Sequence, residues 1–496
     1  MVLYDLVIVG AGVVGASIAR ELSHYKLKIA LLEKEQEPAF GVSKSNSGII
    51  HPGMQNPVHS LKGGLCVQGN ILIRKISQEL GLDFKEVGEL IVVFNEEERI
   101  RLLELKKEAE SLGVPRLRIV DRAWLKANEP NLNPEALYAL YAPTAGIISP
   151  YRLVYALCEN ALKNGVELHT QAKVENIVAH KTNFEIYTTK AAFKAKYLIN
   201  AAGLYADEIA GMAGIDDFRI KPRKGEEFIL DKKRENLTKH LLFPLPSKIS
   251  KGILVIKTAD GNPMIGPSYE DAENKEDLST TDEGFKKVLT GAKRLVPSIN
   301  ENDIIAYFAG LRPVAGDDFI IRYENKVSGF LTVAGIQSPG LTAAPAIARM
   351  VCNILKGNGL ALRKKLRFHL APRKTIHLFT PLETIVQPEN TKMFLTGFSI
   401  PLSRTKGLIR KDASFGDIVC RCELVSAKEI RDAIACGART LDGIKFRTRA
   451  QAGRCHGSFC STRIMRILSQ ETKIPLTAIT KRGPGSEIVK RDRKDA

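Results

Sequence analysis

Apolar and polar positions alternate with recognisable periods from the first residues onward. Tyr4 to Val9 is apolar apart from Asp5 and ends on a glycine, which predicts a buried strand. A 3.6-residue spacing then runs to Leu22 behind Gly10, Gly12 and Gly15, and "KIALLE" follows as a second strand ending at Glu33. "AKVENIVAH", "FEIYTT" and "FKAKYLINAAGLYAD" predict three more strands, the last closing on the small residues Ala201, Ala202 and Gly203. "GFLTVAGIQSPGLTAAPAIARMVCNIL" predicts a strand to Gly335, a loop, and a helix from about Leu341. Between these lie "EEFIL", "GILVIKTADGNPMIGPS" and the helical "DEGFKKVLTGAKRLVPS". Leu360 to about Lys411 is basic, proline-bearing and nearly aperiodic. Beyond it, Ser426 and Glu429 form a capping-box pattern, Ile430, Ala433 and Ile434 an apolar face, and Gly437 a stop. A last helix is expected from Ser461, burying Ile464, Ile467 and Leu468.

At 496 residues, 44% of them hydrophobic, the chain is too long for one ordinary domain. The start runs into a glycine fingerprint rather than a cleavage site, so no secretory leader is expected. No apolar run reaches the length of about 20 residues that a membrane span needs. A cytoplasmic protein follows, any membrane contact being peripheral, at the inner face of the cell membrane and through a partner.

The net charge of +18 is uneven: residues 404–496 hold 21 lysines and arginines against 10 acids, the rest 52 against 45. Basic surfaces attract nucleic acids, but also acidic redox partners and anionic substrates. No zinc-finger spacing or RNA-binding aromatic signature accompanies the charge, so no nucleic-acid partner is expected.

The strand, glycine triplet, helix and acid-ended strand form a dinucleotide-binding unit. Its glycines allow a tight turn and close approach to a pyrophosphate at the helix N-terminus, and Glu33, 23 residues after Gly10, is placed to accept from a ribose. The triplet alone does not separate FAD from a nicotinamide nucleotide. Later motifs do, because "VIVGAGVVGASIARELS", "SNSGIIHPG", "NAAGLYAD", "DGNPMIGPS", "AGLRPVAGDDFIIR" and "AGIQSPGLTAAPAIA" together resemble the D-amino-acid oxidase and glycerol-3-phosphate dehydrogenase superfamily of FAD enzymes. The resemblance implies an α/β fold, a Rossmann-like FAD-binding domain with an inserted mixed-sheet substrate domain. It would span 1–360, its substrate segments lying at about 75–150 and 215–325.

The same resemblance implies that FAD is held by Gly10, Gly12, Gly15, Glu33, Ser45, Asn46, Ser47, Val174, Ala202, Gly203 and Gly335. Backbone donors at Gly340, Leu341 and Thr342 would stabilise charge developing on the flavin. Arg312 in "GLRP" matches the anchor for the substrate's acid group, a role suited to a guanidinium fork. His51, in the loop at the flavin face, is a candidate proton acceptor, with hydrogen bonding to backbone or cofactor as the alternative. Lys224 in "PRKGEEF" is a candidate second anion contact, a solvated lysine being the alternative.

Eight cysteines are present, of which Cys66, Cys158 and Cys352 lie in apolar helical patterns and read as core thiols. Cys420-x-Cys422 and Cys455-x4-Cys460 are separated by 32 residues. A single intervening residue is unusual for zinc, whereas four thiolates are the complement of a [2Fe-2S] cluster. The stretch "VCRCELVSAKEIRDAIACGARTLDGIKFRTRAQAGRCHGSFC" resembles the bacterioferritin-associated ferredoxin-like domain. A small helical iron-sulfur domain is thus expected over 412–475, with 361–411 a connector and 476–496 a basic tail. Arg421, Arg454, Arg463 and the helix end after Cys460 would offset the cluster's negative charge, and Cys436 is expected to be packed at its helix end.

A flavin takes two electrons and a cluster one, so the pair suits single-electron export. With the tail "ITKRGPGSEIV", the combination looks like the anaerobic large-subunit type of glycerol-3-phosphate dehydrogenase. That resemblance implies oxidation of sn-glycerol 3-phosphate to dihydroxyacetone phosphate by hydride transfer to flavin N5. Electrons would pass through the cluster to a partner subunit, a flavoprotein or iron-sulfur protein. "SNSGIIHPG" and "GLRPVAGDDFII" also look like L-2-hydroxyglutarate dehydrogenases, leaving a 2-hydroxy acid or amino acid as the alternative substrate. From another class, an electron-transfer or nucleic-acid-binding scaffold is the remaining alternative.

Overall fold

The computed structural model describes residues 2–247, 251–370 and 402–489. The chain divides into two compact units, Met1–Pro372 and Arg373–Ala496.

The first unit contains an eight-stranded sheet whose centre is parallel: Leu3–Val9 lies between Ala192–Asn200 and Ile29–Leu32. Val166–His169 extends it on one side and Phe330–Ala334 joins Ala192–Asn200 on the other. Both faces are covered, which is why these strands read as continuous apolar runs. Leu6 and Ile8 enter one core with Ile18, Leu22 and Ile347, while Val7 and Val9 enter another with Phe184, Ile186 and Phe330. That is the period of two expected of a strand buried on both sides. The helices Val13–Leu22, Pro150–Lys163 and Gly340–Gly357 supply much of the first core.

A nine-stranded sheet makes up the other half of this unit. Glu89–Val93 runs parallel to Leu241–Pro244 and antiparallel to Tyr138–Ala142. The antiparallel pair Lys221–Leu230 and Ile304–Val314 sets Arg223 opposite Arg312 and Gly225 opposite Gly310. Helix Asp282–Leu295, capped by the Thr281 side chain, presses Val288, Ala292 and Leu295 into the core beneath.

In the second unit the helices Ala427–Ala435, Leu441–Thr448 and Ser461–Thr472 pack around Val419, Ile430, Ile434, Ile444, Ile464 and Leu468. The capping box at Ser426 and Glu429 is present in both directions. Leu402–Lys411 is helical where an aperiodic connector was expected, and 371–401 of that connector lie outside the described residues. Cys436 caps its helix but is exposed, not packed, because the chain turns away at Gly437 with φ 100°. Among the described residues, no helix is long and apolar enough to cross a membrane.

Candidate active site and thiol cluster

A cleft of about 1020 Å³ runs through the first unit, lined along its length by Gly10, Gly12, Glu33, Val174, Ala202 and Gly203, then Ser45, Asn46, Ser47, His51, Gly340 and Leu341. Strand and helix meet too closely at its start for any side chain. A Cβ on Gly10 would stand 2.5 Å from the Ala201 carbonyl oxygen, and one on Gly15 only 1.9 Å from the Gly10 oxygen. Glu33 accepts from the amides of Ala11 at 2.9 Å and Glu35 at 3.0 Å, which fixes its carboxylate at the cleft wall. Burial pushes that carboxyl above the usual glutamate range. A long cleft, a glycine cradle and an acid at the second strand's end fit an extended dinucleotide such as FAD. Gly15→Ala is accordingly expected to leave a chain without bound flavin, read from the ratio of flavin to protein absorbance.

Other expected contacts are used internally. Gly15 and Gly335 do not reach the cleft surface. The Gly340 amide donates to the Gln337 carbonyl at 2.6 Å, so the helix-end donors that follow are those of Leu341 and Thr342. Thr342 turns its hydroxyl inward to accept from the His51 amide at 3.0 Å. Ser43, which sequence reasoning missed, caps the first helix by accepting from the Val13 amide at 2.9 Å.

At the far end of the cleft, Ser47 donates to Glu227 at 2.8 Å. Arg312 reaches over Gly225, where a Cβ would stand 2.6 Å from its guanidinium. Its second terminal nitrogen, Nη1, is buried without a hydrogen-bond partner among the described residues. Lys251, absent from the sequence reading, lines the same end, and its Nζ is buried and unpartnered in the same sense. Burial pushes its ammonium below the usual lysine value. Arg223 also lines the cleft but is engaged, donating to Asp271 at 2.7 Å and stacking on Tyr269. Lys224, one residue on, faces away and donates to Asp277 at 2.9 Å, since neighbouring strand residues point to opposite sides. It is not in the cleft, which Lys251 lines.

His51 lines the cleft with only 8% of its surface exposed, and its Nδ1 lies 3.6 Å from Glu89 Oε2. Burial, helped by Lys251, pulls the imidazole below its ordinary pKa against the opposing pull of Glu89.

In the second unit the four thiols come as two pairs. Cys422 and Cys455 sulfurs are 3.4 Å apart, and Cys420 hydrogen-bonds with Cys460, which holds the Cys420 thiol below its ordinary range. Backbone amides of Glu423 and Gln451 point at the Cys420 sulfur, and those of Gly457 and Phe459 at Cys455. Cys460 is the N-cap of helix Ser461–Thr472. Arg421 and Arg454 are exposed beside the loop, whereas Arg463 is paired with Asp417 at 2.6 Å. Among the described residues no three ligating groups converge on one point as a single metal ion would require. Two thiol pairs ringed by amide donors fit two irons, each taking two thiolates.

Comparison with known proteins agrees with both halves. Residues 5–354 match the family described as FAD dependent oxidoreductase, and 418–470 the BFD-like [2Fe-2S] binding domain. A glycerol 3-phosphate dehydrogenase of Caloramator mitchellensis is 40% identical over 98% of each chain. The human mitochondrial L-2-hydroxyglutarate dehydrogenase is 29% identical over 71% of this chain and 88% of its own. Among solved structures, the FAD-bound L-alpha-glycerophosphate oxidase of Mycoplasma pneumoniae superposes with a TM-score of 0.71 at 33% identity, over 74% of this chain and 98% of that one. The glycine cradle, the cleft and these likenesses place the chain in the FAD dependent oxidoreductase family, as a flavoprotein enzyme with a [2Fe-2S]-binding domain at its C-terminal end.

Proposed function

We propose that the protein oxidises sn-glycerol 3-phosphate to dihydroxyacetone phosphate and exports the electrons singly, through its thiol-bound cluster, to a partner protein. The observation that carries the substrate reading is the pair of buried cationic nitrogens on Arg312 and Lys251, without partners among the described residues, in the cleft that His51 also lines. Glu227 faces Arg312 and Glu89 faces Lys251, but a buried nitrogen left without an acceptor is still costly, and a phosphate dianion with several acceptor oxygens satisfies both. Bound FAD supplies a two-electron acceptor for the hydride leaving carbon, and a bound [2Fe-2S] cluster a one-electron outlet.

The chain's own residues do the rest. Arg312 and Lys251 grip the phosphate and so fix the distance to the secondary alcohol. His51, kept neutral by burial and by Lys251, takes the hydroxyl proton on its cleft-facing nitrogen. A histidine with a lowered pKa is deprotonated above that pKa, so the acid limb of substrate oxidation should lie below the ordinary histidine value of 6.5. A pH profile of anaerobic flavin reduction checks this, a limb at or above 6.5 counting against His51 as base.

The human relative favours one second reading, in which the two cations hold carboxylates of L-2-hydroxyglutarate. Each substrate is added without air and bleaching of the flavin followed. Fast bleaching by glycerol 3-phosphate supports the proposal, and bleaching by the hydroxy acid alone replaces it. If neither bleaches the flavin, both readings fall.

A further inference from the structure

His51 is held by its backbone from two directions. Its amide donates to Thr342 Oγ1 at 3.0 Å, and its carbonyl accepts from Asn70 Nδ2 at 2.9 Å. Its ring packs edge-on to Phe243 with centroids 6.0 Å apart. These contacts fix the main chain and one side of the ring but leave open which ring nitrogen carries the proton. A base serving the cleft needs its lone pair on the cleft-facing nitrogen and therefore a proton on the other.

The group beside that other nitrogen is Glu89, the first residue of strand Glu89–Val93, paired with Ala142 and Leu241 on its two neighbours. Its carboxylate is 1% exposed, and Oε2 has no hydrogen-bond partner among the described residues, although it stands 3.6 Å from His51 Nδ1. A carboxylate shut in a sheet and unsatisfied on one oxygen is costly unless it faces a donor or a charge. The groups that face His51 and this carboxylate are Lys251, Cys66 from helix Leu61–Leu80, and the imidazole itself. The Cys66 thiol is pushed by burial up to about 12, so it stays protonated and adds no charge.

We infer that Glu89 is the positioning residue of the reaction: it takes the Nδ1 proton of His51 as a hydrogen bond, so that Nε2 faces the substrate hydroxyl, and it stabilises the imidazolium formed when that proton is taken. The inference rests on the reading of His51 as the base. No net redox change accompanies this step; the substrate's O–H bond breaks, an N–H bond forms on Nε2, and Glu89 stays ionised. The arrangement follows the logic of a carboxylate orienting a histidine base.

The test uses the full-length flavin-loaded protein and follows anaerobic flavin reduction by glycerol 3-phosphate in Glu89→Gln, His51→Gln and the double variant. Glu89→Gln is expected to keep its flavin, to slow maximal reduction by about 10²-fold, and to move the acid limb to lower pH as the imidazole loses its counter-charge. The double variant should be no slower than His51→Gln alone, because two residues acting through one step do not add. Glu89→Gln with an unchanged rate and limb, while His51→Gln is crippled, overturns the inference and leaves the base standing. His51→Gln reducing as fast as wild type overturns both. Loss of flavin in Glu89→Gln, or penalties that multiply in the double variant, would make Glu89 a structural acid or a partner of Lys251 instead.

Discussion

Replacing Cys455 with serine is expected to remove the protein's iron and its cluster absorbance while glycerol 3-phosphate still bleaches the flavin at the wild-type rate. The separation follows from how the two units are built. Cys455 faces Cys422 in an exposed loop pair, away from the side chains of Ile430, Ile444, Ile464 and Leu468 that hold the second unit together. A serine hydroxyl is a poor iron ligand at neutral pH, and three remaining thiolates leave one iron open to water. Burial in the core is barely altered, so thermal unfolding should move little. Steady-state turnover with a one-electron acceptor is expected to fall at least tenfold, because the outlet is gone although the flavin fills as before. Iron analysis, visible spectra and stopped-flow reduction check the three parts. Simultaneous loss of flavin reduction would contradict the division of labour.

Arg312→Ala is expected to weaken substrate binding by about 3 kcal/mol, roughly a hundredfold in KM, from the loss of a charge-assisted, bidentate contact. The phosphate does not react, so maximal flavin reduction should change far less than KM. Part of the loss arises inside the protein, since Glu227, buried and sharing this site, loses its facing cation. Arg312→Lys should restore little, because an ammonium offers no planar fork. Measuring the rate of anaerobic reduction against substrate concentration separates the two constants. An unchanged KM would remove Arg312 from the phosphate site.

Much of the frame was legible in the chain. The nucleotide cradle was written in three glycines between two apolar runs, because only a residue without Cβ fits where Gly15 meets the Gly10 carbonyl. The capping box announced the helix beside the cluster, and the one-residue cysteine spacing pointed away from zinc. What the sequence hid were residues whose meaning lies in burial. Lys251, three residues from another basic side chain and at the foot of a strand, reads as solvated surface until the fold encloses it. Glu89 opens the run "ELIVV" and looks like the polar end of a strand, yet it sits inside the sheet. Lys224 and Arg223 are adjacent, and no local pattern tells which of them faces the cleft. That parity is set by pairing with Ile304–Val314, where Arg223 meets Arg312 and Lys224 meets Leu311 far along the chain, which periodicity cannot supply. Helix Leu441–Thr448 carries too few apolar positions to stand out, and its Thr440 cap becomes evident only beside its partners.

The central claim is that electrons taken from substrate at the flavin cleft leave through iron held by Cys420, Cys422, Cys455 and Cys460. Its most direct test is to add glycerol 3-phosphate to the anaerobic, purified protein and record visible and electron paramagnetic resonance spectra of the same sample. Loss of the flavin band together with the signal of a one-electron-reduced [2Fe-2S] cluster is the result expected. A bleached flavin beside a cluster that stays oxidised, or zinc in place of iron at those thiols, would contradict it.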